Sequence, residues 1–321
     1  MNSEDGAALI LCIDGGGIRG LAPALFLKHL ENEAPELLSS FALVAGTSTG
    51  GLIAAAVASG DIADMGVVVD IYRDQAAELL NDRGPVRRVL SKPNTPPGFT
   101  RTLDHYLAKK RLCDCETPLI VPAFDIQNHR SVFFSSTVAQ VQGSSLTLGD
   151  VILASTAAPS YLPPHTIETN GYKGLYVDGG VFANDPSQLA IGEARKLFGQ
   201  RKIRLLSIGC GEETVAPPPA NPKRLKKMKD KLRDAIDETA LHHALLATQV
   251  VDMFLGATTD AARQQSQDEL GDNYLRINPV FKGRLPRLND TSNEAIQRIT
   301  EAGNLAWHKN SDRTLDFLGG S

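Results

Sequence analysis

Short apolar runs that end in glycine clusters set the rhythm of this chain. Leu9-Ile10-Leu11-Cys12-Ile13 leads into Asp14-Gly15-Gly16-Gly17-Ile18-Arg19-Gly20, and Phe41-Ala42-Leu43-Val44-Ala45 leads into Gly46-Thr47-Ser48-Thr49-Gly50. Apolar runs of this length bounded by turn residues read as buried strands. Helix-forming sequence follows each: an amphipathic stretch over Leu21 to Leu30 and an alanine-rich one over Leu52 to Ala58. Further on, the pattern predicts a helix over Asp64 to Leu80, paired strands over Leu119 to Phe124 and Val132 to Phe134 turning near Asn128, and a helix over Leu148 to Ser155. A strand over Gly174 to Val177, a helix from Pro186 to Phe198 and a strand over Ile203 to Ile208 come next. Strands alternating with helices predict a three-layer α/β/α sheet.

Two stretches break this rhythm. Asn81 to Thr100 carries Gly84, Pro85, Pro93, Pro96, Pro97 and Gly98 and reads as a long loop, a lid or entrance. Ala216 to Pro222 is proline-rich. Beyond it Lys223, Arg224, Lys226, Lys227, Lys229, Lys231 and Arg233 form a basic helix, read either as a solvated face or as a contact for anionic headgroups. Ala240 to Leu255 is apolar at helical spacing and reads as core or oligomer interface, and Ser292 to Trp307 as a closing helix in which Trp307 packs. The expected division is a catalytic core over 1–215 and a helical C-terminal extension over 216–321 packed on the same domain.

The second glycine turn has the Gly-x-Ser-x-Gly form of a nucleophile elbow. A serine attacks only when its hydroxyl projects into a site. A strand-to-helix turn flanked by Gly46 and Gly50 projects Ser48 in that way, with the following helix N-terminus beside it. An ordinary glycine-rich turn is the alternative. In the first turn, Gly15, Gly16 and Gly17 can converge their N–H groups on a developing oxyanion, with Arg19 adding positive field or anchoring the loop. Gly15 to Gly20 also satisfies the Gly-x-Gly-x-x-Gly dinucleotide fingerprint. Against that reading, Asp14 would set a carboxylate near a pyrophosphate, and the second strand ends in the serine turn rather than in an acid for a ribose.

A serine needs a base. His29, His105, His129, His165, His242, His243 and His308 read as surface or helix-face histidines. Asp178, at the end of Gly174-Leu175-Tyr176-Val177 and before Gly179-Gly180, is the alternative: a carboxylate that burial would have to make more basic, or simply an Asp-Gly turn.

In combination these blocks resemble the patatin-like phospholipase family. Its glycine loop matches Asp14 to Gly20, its nucleophile motif Gly46 to Gly50, its Ala-Ser-x-Ala-x-Pro segment Ala154 to Pro159, and its Asp-Gly-Gly motif Asp178 to Gly180. The blocks keep the family's order over about Leu9 to Gly211. Where the family often has Asn-Asn-Pro, this chain has Asn184-Asp185-Pro186. The resemblance implies a lipid acyl hydrolase with a Ser48–Asp178 dyad, an oxyanion held by N–H groups around Gly15, Gly16 and Gly17, and no metal or organic cofactor. Membrane phospholipids are then the expected partners, met peripherally from the cytoplasm. The compact size also resembles bacterial effectors switched on by cyclic nucleotides in anti-phage defence, with the segments from Asn81 and Lys223 as the gate or ligand site.

Composition narrows the choice only modestly. The chain has 321 residues, 42% hydrophobic and 22% charged, in the range of a globular protein. A net charge of -4 gives no case for nucleic-acid polymers. The acidic start carries no signal peptide, and no run is long and apolar enough for a membrane span. Cys12, Cys113, Cys115 and Cys210 lack the paired spacing of a zinc site and suit a reducing compartment. A homo-oligomer stays open. So do two rival classes: a non-catalytic lipid-binding protein on the same fold, and a nucleotide-binding α/β protein using Gly15 to Gly20.

Overall fold

The computed structural model describes residues 6–60, 64–74, 97–107, 110–169, 172–214 and 255–319. Its centre is an eight-stranded mixed sheet. The strands are β1 (Ala8–Ile13), β2 (Leu43–Gly46), β3 (Leu119–Asp125), β4 (Arg130–Ser135), β5 (His165–Thr169), β6 (Tyr172–Asp178), β7 (Ile203–Ile208) and β9 (Tyr274–Ile277). They lie in the order β5-β6-β3-β2-β1-β7-β9, with β4 also on β3. Between β7 and β9 in sequence comes β8 (Glu212–Glu213), which pairs with β10 (Val280–Phe281) as a small separate sheet.

Both faces of the sheet are covered, which is why its strands read as continuous apolar runs rather than alternating ones. Leu11 and Ile13 of β1 face one apolar layer, and Ile10 and Cys12 face the other. The smaller layer lies under the helix Ser187–Phe198, through Ala190, Ile191 and Ala194. The larger holds the helices Leu21–Glu33, Thr49–Ser59 and Leu148–Thr156. The α/β/α layering expected from the sequence is the observed one.

One edge of β3 positions the site. β4 runs along the whole of one edge, from Ile120 to Asp125. The other edge is shared: parallel β2 meets it at Leu119 and Ile120, and antiparallel β6 meets it at Ala123 to Asp125. The C-terminal ends of β2 and β6 therefore point at each other across Val121 and Pro122. The Gly46 turn ends one, and Asp178 ends the other.

Several expectations need correction. Pro97–Tyr106 is helical, so residues 97–100, expected to lie in the long loop, are helix instead; Pro97 suits a first helical turn, where no N–H is needed. Leu21–Glu33 is apolar nearly all round, with Leu21 to Leu27 buried throughout, because the C-terminal helix covers the side expected to face water. That closing helix runs from Asn293 to Gly319, well past Trp307, whose ring meets Phe26 edge-on at 5.1 Å. The part beyond 216 is not purely helical, since β9 extends the main sheet along β7. Of the helix expected over Asp64 to Leu80, Met65–Asp74 is present, Asp64 lies just before it, and residues 75–80 lie outside the described residues. The 81–96 segment, the basic stretch from Lys223 and residues 240–254 also lie outside them. Among the described residues, no helix is long and apolar enough to cross a membrane.

Candidate active site

The elbow has the geometry its glycines demand. Ser48 caps the helix Thr49–Ser59 at φ 54° and ψ −121°, a left-handed backbone that side chains rarely adopt. A Cβ on Gly46 would collide with the Gly50 carbonyl, and one on Gly50 would lie 2.5 Å from the Asp14 carbonyl oxygen. The turn is tied down on every side. Thr47 N donates to the Ile13 carbonyl at 3.1 Å, and Thr47 Oγ1 to the Ala183 carbonyl at 2.6 Å. Ser48 N donates to Ser155 Oγ at 3.0 Å, and Ser155 passes its own proton to the Pro122 carbonyl at 2.7 Å.

Asp178 arrives from the opposite strand. It is buried, its N–H donates to the Ala157 carbonyl at 3.0 Å, and its Oδ1 accepts the Gly180 N–H at 2.7 Å. Burial pushes its carboxyl up to about 6, against the hydrogen bonds from the Gly180 N–H and the Ser48 hydroxyl, which favour the anion. A carboxylate so placed is a far better proton acceptor near neutrality than an exposed aspartate.

The first glycine turn lies alongside. A Cβ on Gly15 would sit 3.4 Å from Ser48 Cβ. The Gly15 N–H, expected to face an oxyanion, instead donates to the Asn184 carbonyl at 3.0 Å, because the two turns are stitched together at that point. Gly16 and Gly17 differ: among the described residues no acceptor takes their N–H groups. Gly17, at φ +57°, is pressed on Leu288, whose carbonyl accepts the next N–H, that of Ile18, at 2.8 Å. Arg19 acts as an anchor, donating from N at 3.2 Å and Nε at 3.3 Å to the Gly16 carbonyl.

Beneath this loop is a charged cluster that sequence reading missed. Arg276 of β9 donates to both oxygens of Asp14, at 2.8 and 2.5 Å, to Ser207 Oγ at 2.6 Å and to Asp185 at 3.4 Å. Both carboxylates are nearly or wholly buried. Burial disfavours the charge on Arg276, but Asp14 outweighs it and raises the guanidinium further. Asp185, the departure from Asn-Asn-Pro, thus has a counter-charge, and it accepts the Ser187 N–H at 2.9 Å. Local pattern offers no signal for this cluster, because its members lie on four separate segments. His165 lies off the site, with Nε2 3.1 Å from Asp150 Oδ1. Among the described residues no group of His, Cys, Asp and Glu could hold a metal ion.

"Patatin-like protein 2" of Arabidopsis thaliana is 36% identical over 210 residues, 57% of this chain and 52% of that protein, so the chain spans about half of that relative. "Patatin-17" of Solanum cardiophyllum is 26% identical over 92% of this chain and 82% of its own length. Among solved structures, VipD from Legionella pneumophila aligns at 11% identity and a TM-score of 0.45, over 94% of this chain and 67% of that one. The "Patatin-like phospholipase" family model matches residues 11–191, more than half of the chain. That stretch contains both glycine turns, Ser155 and Asp178, and the chain belongs to the patatin-like phospholipase family.

Proposed function

We propose that this protein is a lipid acyl hydrolase in which Ser48 is the nucleophile and Asp178 its base, releasing fatty acids from membrane phospholipids. The observation that carries the reading is the placement of Ser48, held at positive φ, facing a buried Asp178 at the end of the opposing strand, whose carboxyl burial raises to about 6.

The chemistry follows from the placement. Asp178 takes the hydroxyl proton as Ser48 Oγ adds to the ester carbonyl carbon. The oxyanion forms beside the first glycine turn, where the N–H groups of Gly16 and Gly17, unpaired among the described residues, stabilise it; Gly15 contributes by setting the loop's position. When the C–O bond to the alcohol breaks, Asp178 returns the proton to the leaving oxygen, and an acyl-serine remains. Water then repeats the sequence: its proton goes to Asp178, its oxygen adds to the acyl carbon, and Ser48 leaves reprotonated with release of a fatty acid. No step needs a metal or an organic cofactor.

The test is fatty-acid release from mixed phospholipid vesicles by wild type, Ser48→Ala and Asp178→Ala, with and without a panel of cyclic di- and trinucleotides. Release that both substitutions abolish supports the dyad. Dependence on one nucleotide would add the activated-effector role, whose candidate segments lie outside the described residues. Wild type inert on vesicles and soluble esters in every condition overturns the hydrolase reading in favour of a binding protein.

A further inference from the structure

Asn184 carries a buried polar atom that its surroundings leave without a partner. The residue is 7% exposed. Its carbonyl receives the Gly15 N–H and its Nδ2 donates to Thr259 Oγ1 at 2.8 Å, yet among the described residues nothing donates to Oδ1.

Thr259 fixes which way the amide faces. A hydroxyl has one proton. Thr259 gives it to the Leu255 carbonyl at 2.8 Å, so toward Asn184 it accepts, and the amide nitrogen must face it. Oδ1 is thereby turned the other way. A Cβ on Gly180 would lie 3.2 Å from Asn184 Oδ1 and 3.1 Å from Asp178 Oδ1, and Gly15, beside Ser48, adjoins the same oxygen. An amide acceptor and a carboxylate acceptor thus both lie against Gly180, and the amide oxygen also lies against Gly15 beside the serine. Leu255 Cδ2 packs against the same face of Gly180, 2.6 Å from where a Cβ would sit.

A buried acceptor left unpaired is destabilising, so one beside a reactive serine calls for an explanation, and a donor met during the reaction supplies it. The two halves of the proposed reaction differ in what they offer. In acylation the attacking group is a hydroxyl whose single proton goes to Asp178, so nothing is left for a second acceptor. In deacylation the attacking group is water. One of its protons goes to Asp178 as its oxygen bonds to the acyl carbon, and the other stays on that oxygen and needs an acceptor. Resting on the dyad reading above, we propose that Asn184 Oδ1 is that acceptor. It orients the hydrolytic water, which makes Asn184 a catalytic residue of deacylation alone.

Stopped-flow hydrolysis of a p-nitrophenyl fatty ester separates the two halves. Wild type, Asn184→Ala, Thr259→Val and Ser48→Ala are compared, with acid-quench mass spectrometry of Ser48. For Asn184→Ala the expected result is an unchanged rate of the nitrophenol burst, a burst near one per active site, a steady rate about tenfold lower, the scale of one lost hydrogen bond, and an acyl adduct on Ser48. Thr259→Val, which frees the amide to turn, is expected to slow the steady rate in the same sense; it carries the test if Asn184→Ala does not fold. Burst and steady rates that fall by the same factor, or that both stay at wild-type values, overturn the proposal. So does an upward shift in the pH midpoint of the burst rate, which would mean that the amide serves Asp178 instead. A wild type that shows no Ser48-dependent turnover is a different failure, that of the dyad itself.

Discussion

Arg276 grips both carboxylate oxygens of Asp14 across a separation of 262 residues. Asp14 opens the first glycine turn, so the last strand of the main sheet holds the loop that faces Ser48. Breaking a buried pair leaves a bare charge inside the protein, at a penalty of about 3–5 kcal/mol. Arg276→Met, followed by chemical denaturation, is expected to lose about 3 kcal/mol or more. Asp185→Asn is expected to lose much less, since Asp14 keeps both of its bonds. Equal losses from the two would show that Asp185, not Asp14, is the main partner.

Strain at the nucleophile gives a second test. Ser48→Ala and Ser48→Gly both remove the hydroxyl, and both are expected to be inactive. Elsewhere in a folded chain alanine is the more favourable of the two, but at φ 54° only glycine is unstrained. Ser48→Gly is therefore expected to be the more stable by about 1 kcal/mol. Thermal melts that rank alanine above glycine would remove the strain argument.

The raised carboxyl of Asp178 ties both activity and stability to pH. As the proposed base it must be ionised, so kcat/KM is expected to fall about tenfold per pH unit below about 6 and to level off above it. The stability effect has a definite sign. The unfolded chain loses this proton near 3.8 and the folded chain near 6, so the favourable contribution of the protonated acid is full below pH 3.8 and is lost as pH rises through 6. Two units correspond to about 3 kcal/mol at most. Asp178→Asn, which has no proton to lose, is expected to melt at a higher temperature than wild type at pH 8, with the difference shrinking by pH 4. A pH-independent difference would mean the carboxyl is not perturbed.

Ser155 holds the elbow to β3 through one hydroxyl that serves two backbone groups. Ser155→Ala leaves the Ser48 N–H and the Pro122 carbonyl unpaired, at about 1–3 kcal/mol. Because those bonds position the proposed nucleophile rather than a substrate, kcat is expected to fall with little change in KM. A rise in KM at constant kcat would point to a role in binding substrate.

How far the sequence could be read depends on the range of the interactions. The elbow was legible because Gly46, Ser48 and Gly50 solve a local problem, the close approach of one strand to the helix that follows it. Asp178 was legible by its turn, but its basicity comes from burial among distant segments. β9 escaped notice because four residues interrupted by Arg276 make no apolar run, and Arg276 is acceptable inside only because Asp14 and Asp185 face it. Asn184 showed its place in a motif, yet the direction of its amide depends on Thr259, 75 residues on. The Gly15 N–H was misassigned for a similar reason: a run of glycines does not reveal which N–H groups the fold has already paired.

The head-on meeting of β2 and β6 along β3 also sets the order in which the candidate site can assemble. Ser48 is synthesised early, but Asp178 sits at the end of a strand that must enter the sheet from the opposite direction, and the arginine beneath the first turn comes later still. A partly made or proteolytically shortened chain would own a serine with nothing to take its proton. On the proposed dyad, hydrolysis begins only once the sheet closes, so completion of the fold is itself a control on activity.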